Sequence, residues 1–183
     1  SQPIQFVTPI YLNGNGQKHL LLGYENGEVR LLENTGGEPS FRDRGVYLSV
    51  KNGIFDAAAA DIDNDGFDDF VVAARQGCTA DEVCTDLYRN HKGFLVRENI
   101  PLGITEKIHR IRLKDMNLDG WIDLVAADSK GSVKIFLNDH GKFSHNGGKN
   151  NGKLLGSFGK SVLISVSETF PDLPKNNYPD VLV

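Results

Sequence analysis

Two stretches of this chain, DIDNDGFDD from Asp61 to Asp69 and DMNLDGWID from Asp115 to Asp123, obey one rule, D-x-[DN]-x-D-G-x-x-D. Oxygen-bearing side chains fall at positions 1, 3, 5 and 9, and glycine falls at position 6. Alternating carboxylates on the concave side of a tight loop repel one another unless a cation lies among them. The glycine permits the sharp turn that closes such a loop. Hard divalent cations take oxygen ligands, and Ca2+ takes six to eight of them at about 2.3–2.6 Å. One copy is compatible with a solvated acidic turn. Two copies predict two Ca2+ sites, one on Asp61, Asp63, Asp65 and Asp69 and one on Asp115, Asn117, Asp119 and Asp123.

A helix–loop–helix calcium hand does not fit this spacing. Such a loop ends in a bidentate Glu at position 12 and runs into a helix. Position 12 is Val72 in one copy and Ala126 in the other, inside the short apolar runs FVVAA (70–74) and LVAAD (124–128). Runs of this length and valine content read as buried strands, so Asp69 and Asp123 sit where a loop enters a strand.

Alignment on the loop glycine exposes two degenerate copies. YLNGNGQKHLLLG puts Tyr11, Asn13, Asn15 and His19 at the four ligand positions around Gly16. DLPKNNYPDVLV puts Asp172, Pro174, Asn176 and Asp180 there, with Asn177 in the glycine slot. The glycine-equivalent positions 16, 66, 120 and 177 are spaced by 50, 54 and 57 residues, a period that marks a repeat architecture. Strand candidates recur in phase before each loop: IQFVTPI, FDAAAAD, HRIRLKD and SVLISVS. After each of the first three loops come an apolar run and a hairpin-like pair whose last strand is expected to open at Phe41, Phe94 or Phe143. Four strands per unit predict an all-β chain of four-stranded antiparallel β-propeller blades. The approximate repeats are 1–50, 51–104, 105–158 and an incomplete 159–183.

DIDNDGFDDFVVA and DMNLDGWIDLVAA, with the KIFLNDHGKF hairpin after the second, resemble the FG-GAP/VCBS-type repeat of integrin α-subunit propellers and of many secreted bacterial and fungal proteins. The resemblance is strong in the second and third repeats and weak in the first and fourth. It implies Ca2+ held by side chains at positions 1, 3, 5 and 9 plus a main-chain carbonyl at position 7, which here means Phe67 and Trp121. The first repeat has no carboxylate at any ligand position, and the fourth keeps only Asp172 and Asp180. Neither is expected to bind Ca2+ well, and the first is expected to hold its loop without metal. Propellers of this family usually have about seven blades. Three and a fraction blades therefore imply a piece of a larger propeller, with the remaining blades supplied by a longer chain or by another chain.

Composition bounds the rest. A chain of 183 residues with 39% apolar and 24% charged residues suits one globular domain with its own core. A net charge of −4 argues against a nucleic-acid surface, and no apolar run approaches the roughly 18 residues of a membrane span. The start SQPIQFVTPI lacks an initiator Met and a basic, apolar leader, and is expected to be a mature or excised terminus. Cys78 and Cys84 can close a small disulfide loop; two free thiols are the alternative, and zinc would lack a second ligand pair.

Catalytic patterns such as G-x-S-x-G, H-E-x-x-H and a phosphate-binding loop are absent, and His19, His91, His109, His140 and His145 are scattered. Between His109 and Lys114, alternation places Arg110, Arg112 and Lys114 on one face. That face is expected to pair with carboxylates of the adjacent blade; the alternative is an acidic ligand in a central channel. The Gly- and Asn-rich stretch from His140 to Lys153 is expected to be a long inter-blade connection. These readings, with the resemblance, lead to a non-enzymatic, secreted or cell-surface module, extracellular or periplasmic. It would serve interaction or adhesion, stiffened by calcium and binding a protein or glycan through its loops. A calcium-dependent lectin is the alternative, and a polysaccharide-active enzyme of propeller architecture the second alternative.

Overall fold

The computed structural model describes residues 2–51, 53–75, 85–98, 107–143 and 152–159, together with the strand backbones at 165–167 and 180–182. Cys78 and Cys84, most of the fourth repeat and the stretch 144–151 lie outside the described residues. Among the described residues there is no helix, and hence none long and apolar enough to cross a membrane.

Twelve strands form three four-stranded antiparallel sheets, each built from consecutive strands in chain order. The first sheet is β1 (Ile4–Ile10), β2 (His19–Tyr24), β3 (Glu28–Asn34) and β4 (Phe41–Ser49). The second is β5 (Ile54–Ala60), β6 (Asp69–Ala74), β7 (Thr85–Asn90) and β8 (Leu95–Glu98). The third is β9 (Ile108–Lys114), β10 (Asp123–Asp128), β11 (Ser132–Phe136) and β12 (Lys153–Ser157). A further antiparallel pair joins β13 (Ser165–Ser167) to β14 (Asp180–Leu182), with Val166 opposite Val181. Each sheet is a four-stranded meander of propeller-blade form, as the repeat predicts.

The valine-rich runs explain why the sheets stack. Every residue of β6 is buried, because successive side chains point to opposite faces and both faces are covered. Phe70 and Val72 join Phe6, Ile10, Leu21, Val29 and Ile54 in the core between the first and second sheets. Val71 and Ala73 point the other way, into a core with Ile108, Ile111, Leu124, Ala126 and Phe136 between the second and third. β10 repeats the arrangement one sheet on: Leu124 and Ala126 face back, and Val125 and Ala127 pack with Val133 on the far side. Fully burying one such Val, Leu or Phe side chain contributes roughly 1.5–3 kcal/mol, so these alternating strands hold neighbouring blades together.

The first strands of the sheets lie side by side, β5 against both β1 and β9. Asp56 of β5 reaches across this line: one carboxylate oxygen accepts the Ile111 N–H at 3.1 Å and the Arg112 guanidinium at 3.0 Å. Arg112 thus meets a carboxylate of the adjacent sheet, as expected, while Arg110 donates to the main-chain carbonyl of His109.

Two expectations are corrected. The outer strand of the third sheet does not open at Phe143; it is Lys153–Ser157, paired with β11 from Ser132 to Ile135. Phe143 is instead buried in the core between the second and third sheets, after a tight turn bridged by Asp139 and Lys142. The stretch from His140 to Lys153 therefore connects β11 to β12 inside one blade rather than joining two blades. Aromatic content marked Phe143 as a strand opener, but burial of its ring outweighed that local signal.

Candidate metal centre

The repeated nonapeptides form the turns between the first and second strands of the second and third sheets. In the first acidic loop, Asp61 Oδ1 accepts the Asp65 N–H at 3.0 Å and Oδ2 accepts the Gly66 N–H at 2.9 Å. In the second, Asp115 does the same for Asp119 at 3.3 Å and Gly120 at 2.9 Å. The carboxylates at position 5 accept from position 7: Asp65 from Phe67 N–H at 2.9 Å, and Asp119 from Trp121 N–H at 2.8 Å. Both loops turn through left-handed residues at positions 4 and 6, Asn64 (φ 58°) with Gly66 (φ 91°) and Leu118 (φ 60°) with Gly120 (φ 89°). The degenerate loop of the first repeat keeps this backbone with Gly14 (φ 64°) and Gly16 (φ 75°), so its shape does not depend on acidic side chains.

The first acidic loop brings Asp61, Asp63 and Asp65 together, with one carboxylate oxygen from each lying within 4.8 Å of the others. Burial raises the pKa of Asp63, against the pull of Arg89 and with a further push from Asp65 and Asp61. Asp63 Oδ1 is buried and has no hydrogen-bond partner. A buried oxygen without a donor beside two further carboxylates is the environment a hard cation satisfies. The all-oxygen donor set of Asp61, Asp63 and Asp65 therefore fits Ca2+. The second loop offers Asp115, Asp119 and the amide of Asn117, which contacts Asp119 at 2.8 Å. These are again oxygen donors of the kind Ca2+ takes, with one carboxylate fewer.

Position 9 is not among the three grouped carboxylates, but Asp69 shares the Arg89 guanidinium with Asp63 at the edge of that group. Asp69 is 1% exposed. Its Oδ1 accepts the Asn90 N–H at 2.9 Å, while Oδ2 accepts the Ile62 N–H at 3.3 Å and the Arg89 guanidinium at 2.6 Å. Burial pushes its pKa up to about 6, although the Asn90 N–H and Arg89 both pull it down. Asp123 repeats the pattern, accepting the N–H groups of Asn138 and Met116 at 2.8 Å each. In the degenerate repeat His19 takes over, its Nδ1 accepting the Asn34 N–H at 3.0 Å. Position 9 is thus a latch that ties the start of a second strand to the end of the third.

Three residues that the repeat spacing does not reveal complete the site. Asn90, fully buried, donates through its side-chain amide to the carbonyls of Tyr11, Leu12 and Asp68. Asn138 donates to those of Ile62 and Ile122. Each amide therefore braces the loop of its own sheet and that of the preceding one. The recurrence of Asn after the third strand, at 34, 90 and 138, was a readable signal. Arg89 had none, because Glu33 and Leu137 occupy the matching positions.

The loops also touch one another. Tyr11 and Asp68 exchange hydrogen bonds, and the Asn64 amide donates to the Gly120 carbonyl at 3.1 Å. Trp121 lies against His140, with ring centroids 4.9 Å apart.

Four-stranded antiparallel meanders, with a glycine turn of one spacing between the first and second strands that is acidic in the second and third sheets, define a propeller-type repeat protein. The family model of the FG-GAP-like repeat matches residues 12–72, from the degenerate loop through the first acidic loop into β6, so this part of the chain is similar to an FG-GAP-type repeat. No curated protein matches the chain.

Proposed function

We propose that this chain is a calcium-stabilised, propeller-type interaction module, working outside the cytoplasm and presenting its loops to a protein or glycan partner. The observation that carries this reading is the unpartnered, buried Asp63 Oδ1 among the grouped Asp61, Asp63 and Asp65. Ca2+ would supply charge neutralisation and fixed geometry where two sheets meet. Asp61, Asp63, Asp65 and Asp69 would hold one ion, with the Phe67 carbonyl as the fifth donor. Asp115, Asn117, Asp119 and Asp123 would hold the other with the Trp121 carbonyl. The chain's own residues account for the stiffening, because the position-9 latches and the Asn90 and Asn138 amides join each loop to its neighbours. A non-enzymatic role fits the absence of a histidine or lysine base within either nonapeptide.

Isothermal titration of the chelated chain with Ca2+ tests the metal reading, with two ions per chain expected and none at the degenerate loops. A glycan array and an affinity pull-down, each run with Ca2+ and with chelator, test the interaction role. No Ca2+-dependent capture in either assay, from a chain that does bind two ions, overturns the partner reading and leaves the metal structural.

A further inference from the structure

Two differences bear on the charge at the ligand positions of the acidic loops. Position 3 is Asp63 in the first loop and Asn117 in the second, so the first carries an extra carboxylate. The residue before the bracing asparagine is Arg89 in the second sheet and Leu137 in the third. Arg89 is only 12% exposed. It meets Asp69 at 2.6 Å, lies 3.7 Å from Asp63, binds Glu98 at 2.9 Å and donates to the Gly141 carbonyl. Counted over positions 1, 3, 5 and 9 alone, where the first loop has four carboxylates and the second three, the guanidinium brings the two formal charges level. It is planar, permanently charged and anchored from three sides, so thermal motion does not carry it away as it would a surface lysine. Leu137 offers no such charge, and Asp123 accepts from the main-chain N–H groups of Met116 and Asn138.

We propose that Arg89 is a tethered cation of the first acidic loop, part-neutralising Asp63 and Asp69 so that the loop keeps its shape without metal and gives up affinity for Ca2+. The inference rests on the calcium reading above. It makes the two sites unequal in kind: the first is pre-organised and partly satisfied from within, and the second depends on its ion. A fixed positive charge within a few ångströms of a bound divalent cation opposes binding strongly in a partly buried site.

Titration calorimetry with Ca2+ reports both loops, and an Asp65→Ala or Asp119→Ala background leaves the second or the first to be read by itself. Arg89→Leu copies the residue of the third sheet and should tighten Ca2+ at the first loop by roughly tenfold or more. It should also lower the metal-free melting temperature and enlarge the rise on adding Ca2+. Arg89→Lys keeps the charge and should leave affinity near that of the parent. Leu137→Arg moves the cation to the second loop and, in the Asp65→Ala background, should weaken Ca2+ binding there by a similar factor. Leu137 is 37% exposed, so this change does not threaten folding. Unchanged or weaker binding in a folded Arg89→Leu chain overturns the proposal, as does an unaltered second loop in Leu137→Arg. If Arg89→Leu does not fold, the Leu137→Arg result decides. Absence of any metal signal in the parent chain sinks the calcium reading instead, whereas metal binding that ignores both substitutions sinks only the role of Arg89.

Discussion

The side-chain amide of Asn138 donates a hydrogen bond to the main-chain carbonyl of Ile62, 2.8 Å away in space and 76 residues earlier in the chain. Asn90 makes the matching bond to Leu12, 78 residues back. One asparagine per sheet thus satisfies a carbonyl in the loop of the sheet before it, where no strand ladder reaches. The acidic loops are consequently parts of the inter-sheet joint as well as turns.

Replacing Asn90 with Ala should cost about 1–3 kcal/mol, because it strips the side-chain donor from the buried Leu12 carbonyl and the half-buried Asp68 carbonyl, while Tyr11 keeps the Asp68 N–H. Urea unfolding of the metal-free chain measures this. Asn90→Asp should be at least as damaging, since it sets acceptor against acceptor. A change within about 0.5 kcal/mol for either variant, the range of ordinary surface substitutions, refutes the bracing role.

Leu118 occupies the left-handed region at φ 60° with its side chain half exposed. Side chains other than Asn, Asp and Gly adopt that conformation at a cost of roughly 1 kcal/mol. Leu118→Asn, the residue at the equivalent Asn64, should therefore stabilise the chain by up to about 1 kcal/mol. A lower melting temperature would show that Leu118 makes a compensating contact.

His19 gives the first repeat a pH dependence opposite in sign to that of Asp69 and Asp123, whose pKa values burial raises at the same position. Burial lowers its pKa below the usual value, outweighing the upward pull of Glu33. Its Nδ1 accepts the Asn34 N–H, which leaves the proton on Nε2, 3.3 Å from Asn13 Oδ1. The folded state thus binds fewer protons than the unfolded one between the lowered value and about 6.5. This contribution is complete above that window and is lost as pH falls through it. Asp69, raised to about 6, takes up a proton in the same range and acts in the opposite sense in both chains, so the test is the difference. In chelator, lowering the pH from 7.5 to 5.5 should disfavour the parent more than His19→Asn, whose amide oxygen accepts the same N–H without titrating. An equal effect in both chains places the proton uptake elsewhere.

Asp65→Ala and Asp119→Ala should each abolish Ca2+ binding at their own loop, removing both charge and the acceptor for the position-7 N–H. Calorimetry should fall from two ions to one in each variant. Loss of both ions from one substitution would mean that the Asn64–Gly120 contact couples the loops into a single unit.

Local chemistry was legible in the sequence wherever a few neighbouring residues settled it. IQFVTPI is β1 to the residue, and FVVAA and LVAAD fall inside β6 and β10, because short apolar runs bounded by turns have few other ways to bury themselves. The grouping of Asp61, Asp63 and Asp65 followed from their alternation around a glycine turn. Failures came where a distant partner outweighed local preference. Phe143 left its expected strand for the core between two sheets, and the outer strand was recruited from Lys153–Ser157.

The sequence by itself determined the repeat, the strands nearest the acidic turns and the oxygen donors those turns carry, since each depends on spacing within one short segment. Only the tertiary structure decided that position 9 is a latch shared by Asp69, Asp123 and His19. It also decided that Asn90 and Asn138 brace the preceding loop, and that Arg89 sits beside Asp63 and Asp69. These contacts join segments brought together by the stacking of sheets. Their geometry is set by burial of β6 and β10 between neighbouring cores, which no local pattern of residues encodes.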